Sequence, residues 1–250
     1  MAVKELIEAR WKAIICGLIA LVLVEVSTAT YGLFKSALNT SNIQQMPQFL
    51  QQQMQQMTST FDLYVWGNWF AKNGPEIMVI VAIVLGAGLI AGEVNKGTIF
   101  FLLGKPISRE RVLLIKYAVS ALILLAISAI TSIALVVTAA VMGHPQDIGG
   151  VMISALLLWL GVLFGLGLAL MFSVLFKDAL WPLICALVIT LLTIIPSFIP
   201  GWGAWNLISY WSNQSVYLGQ GVPFKEFVIC LVAALLPLII ALAMFHKRAY

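Results

Sequence analysis

Apolar residues gather in six blocks along the chain, at 13–34, 77–92, 112–142, 151–176, 180–199 and 227–245. A helix that crosses a bilayer needs about 20 mostly apolar residues. The second block is short for that purpose, and the third is long enough to tilt. The pattern predicts an all-α integral membrane protein with six transmembrane helices, forming one transmembrane domain over residues 1–250.

The polar segments between the blocks carry patterns of their own. Residues 2–12 place Val3, Leu6, Ile7 and Trp11 at helical spacing, with Lys4, Glu5, Glu8 and Lys12 at the other positions. This predicts an N-terminal interfacial helix lying on the inner leaflet before the first span. The segment 35–74 is rich in glutamine, from Gln44 to Gln56, yet Ile43, Met46, Leu50, Met54, Met57 and Phe61 step by three or four. They share one helical face, so an outer amphipathic helix is expected, with glutamine toward water. Thioethers suit Cu(I), but an apolar face packing on helices or lipid accounts for these methionines better. Tyr64, Trp66, Trp69 and Phe70 fit an interfacial aromatic belt. In the last outer segment Pro196, Pro200, Gly201 and Gly203 interrupt helix among Trp202, Trp205, Tyr210, Trp211 and Tyr217. A short pair of re-entrant or interfacial helices is expected there.

Composition turns these patterns toward a lipid solvent. Hydrophobic residues make up 62% of the chain and charged residues 10%, against about 25% charged in soluble domains. The net charge of +4 does not form a basic stripe, so nucleic acid is not expected as a partner. Its placement sets the orientation. With both termini inside, 11 of the 14 basic residues fall in inner segments, and only Lys35, Lys72 and Lys225 fall outside. This follows the positive-inside rule and predicts a multi-pass protein with both termini cytoplasmic. The charged start and the length of the first block argue for a retained span rather than a cleaved signal. Cys16, Cys185 and Cys230 all lie in apolar blocks and read as buried structural thiols.

No catalytic constellation is present. His144 and His246 have no Cys, His or Asp partner at ligand spacing, and neither H-E-x-x-H nor G-x-S-x-G occurs. Gly104-Lys105 is followed by Pro106, and position 99 is Ile99, so the phosphate-cradling loop is absent. No catalytic, cofactor or metal residue is expected in this chain. Glu25 stands out as a carboxylate within the first block, where a bare charge is costly. It must be protonated, face a wet cavity, or bond to Ser128, Thr131 or Thr193; a place on a translocation path would suit it. Gly88 and Gly92, and Gly161 and Gly165 with Gly167 following, have the spacing that lets membrane helices approach closely. Dimer contact and packing within one chain explain them equally.

The segment 91–116 is charged and punctuated. Glu93 begins a short helical stretch with Ile99, Phe100 and Leu103; Pro106 ends it and Ser108 caps the next helix. A docking surface and a plain solvated connection both fit such a loop. The run Gly92-Glu93, Lys96-Gly97-Thr98, Leu102-Leu103, Lys105-Pro106-Ile107-Ser108-Arg109 and Lys116 resembles, in register, the permease subunits of type-2 ATP-binding-cassette exporters. The coarse layout of the whole chain is similar to theirs as well. The resemblance implies that this loop is a cytoplasmic coupling helix that docks on an ATPase. It implies two ABC ATPase subunits and a second permease subunit as partners, with ATP and Mg held by the ATPases, in a prokaryotic plasma membrane. Within it, Glu93 would complement a helix N-terminus, with Thr98 and Pro106 as parts of the matched run. Lys96, Arg109 and Arg111 would pair with acidic groups of the ATPase, and Phe100 and Phe101 would enter its apolar groove. The competing readings are a membrane scaffold or immunity protein without an ATPase, and an intramembrane enzyme.

Overall fold

In lipid, a chain must satisfy its backbone polar groups internally, which leaves helices for so apolar a sequence. A computed structural model describes residues 2–248 apart from 39–46, 48–55, 57, 105–106, 200, 203–205 and 222, and among these every regular element is helical. The order is α1 (Ala2–Ala29), α2 (Tyr31–Leu38), α3 (Phe61–Val65), a π-helical stretch (Trp66–Asn73), α4 (Gly74–Ala87), α5 (Ala91–Asn95) and α6 (Ile99–Leu103). It continues with α7 (Arg109–Val141), α8 (Ile148–Leu175), α9 (Leu180–Leu192), a 3-10 turn (Ile195–Phe198), α10 (Ile208–Trp211), α11 (Gln214–Tyr217) and α12 (Phe224–Lys247).

Among the described residues, five helical stretches are long and apolar enough to cross a membrane: Val3–Ser36, Phe61–Asn95, Arg109–Val141, Ile148–Leu175 and Phe224–Lys247. The sixth predicted span forms the shorter helix α9 and then turns at Pro196. Its 13 residues give about 20 Å of helix, short of the ~30 Å hydrocarbon core.

Helix α8 is the central post, in contact with α4, α7, α9 and α12. Its glycines explain how neighbours come so near. A Cβ on Gly161 would lie 2.4 Å from the Trp211 ring, and one on Gly167 would lie 2.8 Å from Pro237 Cγ. Packing within the chain thus accounts for this glycine series. The pair Gly88 and Gly92 makes no such approach, since a Cβ on Gly92 would meet nothing within 4 Å. Helix α1 is peripheral: 22% of its apolar window is buried inside the bundle, against 72% for α8.

Three local expectations change. Residues 2–12 are continuous with the first span in α1 rather than a separate interfacial helix. Their apolar side chains Val3, Leu6, Ile7 and Trp11 are exposed, while Glu5 is buried, because it meets the buried Lys116 ammonium. The aromatic run before the second span is helical and joined to it, and Tyr64, Trp69 and Phe70 are buried rather than arrayed on the surface. The coupling stretch is two short helices, α5 and α6, parted at Gly97, whose φ of +70° is a left-handed conformation that favours glycine. The outer amphipathic helix expected over 43–61 falls largely outside the described residues. Two four-residue helices, α10 and α11, lie in the late segment where a re-entrant or interfacial pair is expected.

The bundle therefore has two unlike ends. The basic end gathers the start of α1, α5, α6, the start of α7 and the end of α12; the aromatic end gathers α3, the π-helical stretch, the α7–α8 turn, α10 and α11.

Candidate functional site

The basic end is built around Lys116. About two turns after its Ser108 cap, α7 carries this side chain into the bundle, where it is 2% exposed. A buried ammonium is tolerable only when it is paired and hydrogen-bonded. Its Nζ lies 2.8 Å from Glu5 Oε2 on α1 and 3.0 Å from Glu93 Oε1 on α5. Both carboxylates are buried. Glu93 also accepts a hydrogen bond from the Thr98 hydroxyl through Oε2, and Thr98 Oγ1 donates to the Glu93 carbonyl at 3.3 Å. The chain breaks helix between α4 and α5, and the freed Ile90 and Ala91 N–H groups donate to Ser173 Oγ of α8 at 3.0 and 2.8 Å. Four helices thus meet at one polar node.

Glu5, Glu8 and Glu93 place carboxylate oxygens within 4.8 Å of one another, the kind of grouping that can hold a cation. Here the Lys116 ammonium supplies the charge for two of the three. A cavity of about 160 Å³ opens beside the node, with Lys12 and Lys96 in its wall.

The expected coupling residues share this end. Phe100 and Phe101 are 64% and 81% exposed on α6, and Lys96 and Arg111 are exposed nearby. Ile99, between them and Gly97, is buried and roots α6 in the bundle. Arg109 is turned inward: its Nη1 donates to the Arg248 carbonyl after α12 at 2.5 Å. Pro106 lies outside the described residues. Glu5 carries no signal of this role in the sequence, where nothing separates it from its charged neighbours Lys4 and Glu8.

Glu25 is elsewhere, on the α1–α7 seam. It is half-buried and accepts from Thr138 Oγ1 at 2.6 Å. The three partners expected for it bond to backbone instead: Ser128 to Ala155, Thr131 to Ile127 and Thr193 to Thr190.

Residues 1–216 match the family described as ABC-2 family transporter protein. The chain belongs to the ABC-2 transporter family. It is a multi-pass membrane component of a transport system, and the family match spans the whole polar node as well as Glu25. No curated protein matches the ABC-2 chain.

The aromatic end of this ABC-2 protein is closed by neutral and singly charged contacts. Gln146 Nε2 donates to Asp62 Oδ1 at 2.6 Å, and Tyr217 Oη donates to Gln146 Oε1. Burial first, and then the Asp62 carboxylate, push the Tyr217 phenol well above its ordinary value, so it stays a donor. Trp66 Nε1 donates to the Ser212 carbonyl at 3.0 Å, and the His144 ring stacks on Phe61 at 4.5 Å.

Proposed function

We propose that this chain is the permease subunit of an ATP-driven exporter, working with two separate ATPase subunits and a second permease. The observation that carries the reading is α6. Two phenylalanines are exposed on a five-residue helix whose first residue, Ile99, is packed against the bundle. Exposed large apolar side chains rimmed by charge mark interaction sites, and membership of a transporter family is in keeping with an ATPase partner that would receive them. In this reading the basic end is cytoplasmic, in a prokaryotic plasma membrane. Mg-ATP binds to the partner chains, and their closure moves α5 and α6 to switch the bundle between inward-open and outward-open states. The exposed groups Phe100, Phe101, Lys96 and Arg111 make the docking contact, while Arg109 holds the end of α12.

Affinity purification of the solubilised chain from its native cells tests this, with ATPase activity assayed on the eluate. An ATPase that co-elutes with the wild type and is lost with Phe101→Asp plus Arg111→Glu supports the permease. An eluate without ATPase in either case favours a scaffold or immunity protein with no such partner.

Glu25 is assigned to the translocation path, since it is an acidic group within the first span with a neutral hydroxyl as its partner. Glu25→Gln keeps an acceptor for Thr138 and is expected to fold normally and export poorly. Normal export by that variant removes Glu25 from the path.

A further inference from the structure

Helix α1 ends at Ala29 and the docking loop begins at Ala91, yet one side chain holds both. We infer that Lys116, through Glu5, is the joint that carries movement of the docking loop into α1. The inference rests on the permease reading above and names the helix that the loop drives.

The geometry leaves the cluster little freedom. Lys116 Nζ reaches both oxygens of Glu5 at 2.8 Å and Glu93 Oε1 at 3.0 Å, and its side chain is 2% exposed. Two buried carboxylates share one ammonium. If α5 moves and takes Glu93 away, either Lys116 follows or a buried carboxylate is stripped of its cation, which burial penalises. When Lys116 follows, Glu5 faces the same choice. The cheapest response is for α1 to travel with α5.

The backbone around the node is arranged for such a swing. The helix breaks after Ala87, and α5 resumes at Ala91 with its first N–H groups on Ser173 of α8. That attachment is a pivot, because α8 is the most enclosed helix of the bundle. Glu93 lies beyond the pivot, on the docking-loop side, and Thr98 ties it to the turn that leads into α6. Helix α1 is the element with least to lose by moving, since most of its apolar window faces out of the bundle. Sequence order and family resemblance both assign Glu93 and Lys116 to the loop. Glu5, on a different helix, is what extends the loop's reach.

Spin-label distances in the permease–ATPase complex, with and without ATP plus vanadate, test this. Cys16, Cys185 and Cys230 are first replaced by alanine. Labels at exposed Asn95 (loop) and exposed Ile7 (α1) are each measured against Trp181 at the start of α9. In the wild-type background both distances are expected to shift by ~2 Å or more. Glu5→Ala leaves the buried Lys116–Glu93 pair balanced one to one, so the chain folds and docks. In that variant the loop distance is expected to shift as before while the α1 distance stays fixed. Glu5→Gln restores an acceptor for Lys116 and is expected to recover part of the α1 shift. An undiminished α1 shift in Glu5→Ala overturns the joint and leaves the permease reading standing. A loop distance that never responds to ATP in the wild type overturns the permease reading itself, and the joint with it.

Discussion

The two ends of the bundle are held by different physics. At the basic end one buried ammonium and two buried carboxylates meet beside a polar cavity, joined by a hydroxyl from a glycine turn. At the aromatic end the contacts are ring on ring, indole on carbonyl and amide on carboxylate, with Trp211 pressed into the notch at Gly161. Ionic attraction reaches far and tolerates small displacements, so three charges can stay engaged while the helices bearing them move. Close packing does not stretch; it holds or it opens. The comparison marks the aromatic end as the rigid plug and the basic end as the articulated one.

The largest effect is expected from Lys116→Met, which leaves Glu5 and Glu93 buried without a cation. Breaking a buried ion cluster from one side costs ~3–5 kcal/mol. Thermal unfolding in detergent should show it, and adding Glu5→Gln with Glu93→Gln should return most of the loss. No recovery in the triple variant would mean that Lys116 matters for its shape rather than its charge.

Gly161→Ala comes next and attacks the plug. The new methyl group meets a fully buried indole at 2.4 Å, and overpacking of this kind costs ~1–3 kcal/mol. The same melting assay reads it, and Trp211 fluorescence should shift as the ring is displaced. A variant as stable as the wild type would show that the aromatic end yields more readily than its packing implies.

Tyr217→Phe removes the donor to Gln146 and is expected to cost ~1 kcal/mol, measured by chemical unfolding. Smallest is Lys4→Ala. The Lys4–Glu8 pair is 53% and 49% exposed, and such pairs are worth ~0.2–1 kcal/mol at most. If Lys4→Ala rivalled Lys116→Met, burial would not be what distinguishes the two lysines, and the contrast between the ends would collapse.

Much of this architecture is legible in the sequence, for a physical reason. A lipid solvent imposes its demand residue by residue, so long apolar runs announce α1, α7, α8 and α12 wherever they pack. Ser108 acts within its own turn, which is why the cap of α7 lies where the sequence puts it, whereas the break at Gly97 between α5 and α6 is not expected from the sequence. The match of the loop run to its family was equally local, and residues 1–216 bear it out.

Tertiary structure alone decided which charges are buried. Glu5 and Glu8 are chemically alike in the sequence, and only the arrival of Lys116 from 111 residues away selects Glu5. The same holds for Thr138 as the partner of Glu25, and for Trp211 as the tenant of Gly161 rather than a headgroup anchor. Hydrophobicity and capping are properties of a segment and can be read along it. Charge pairing and close packing are properties of two segments brought together, and no single stretch of sequence contains them.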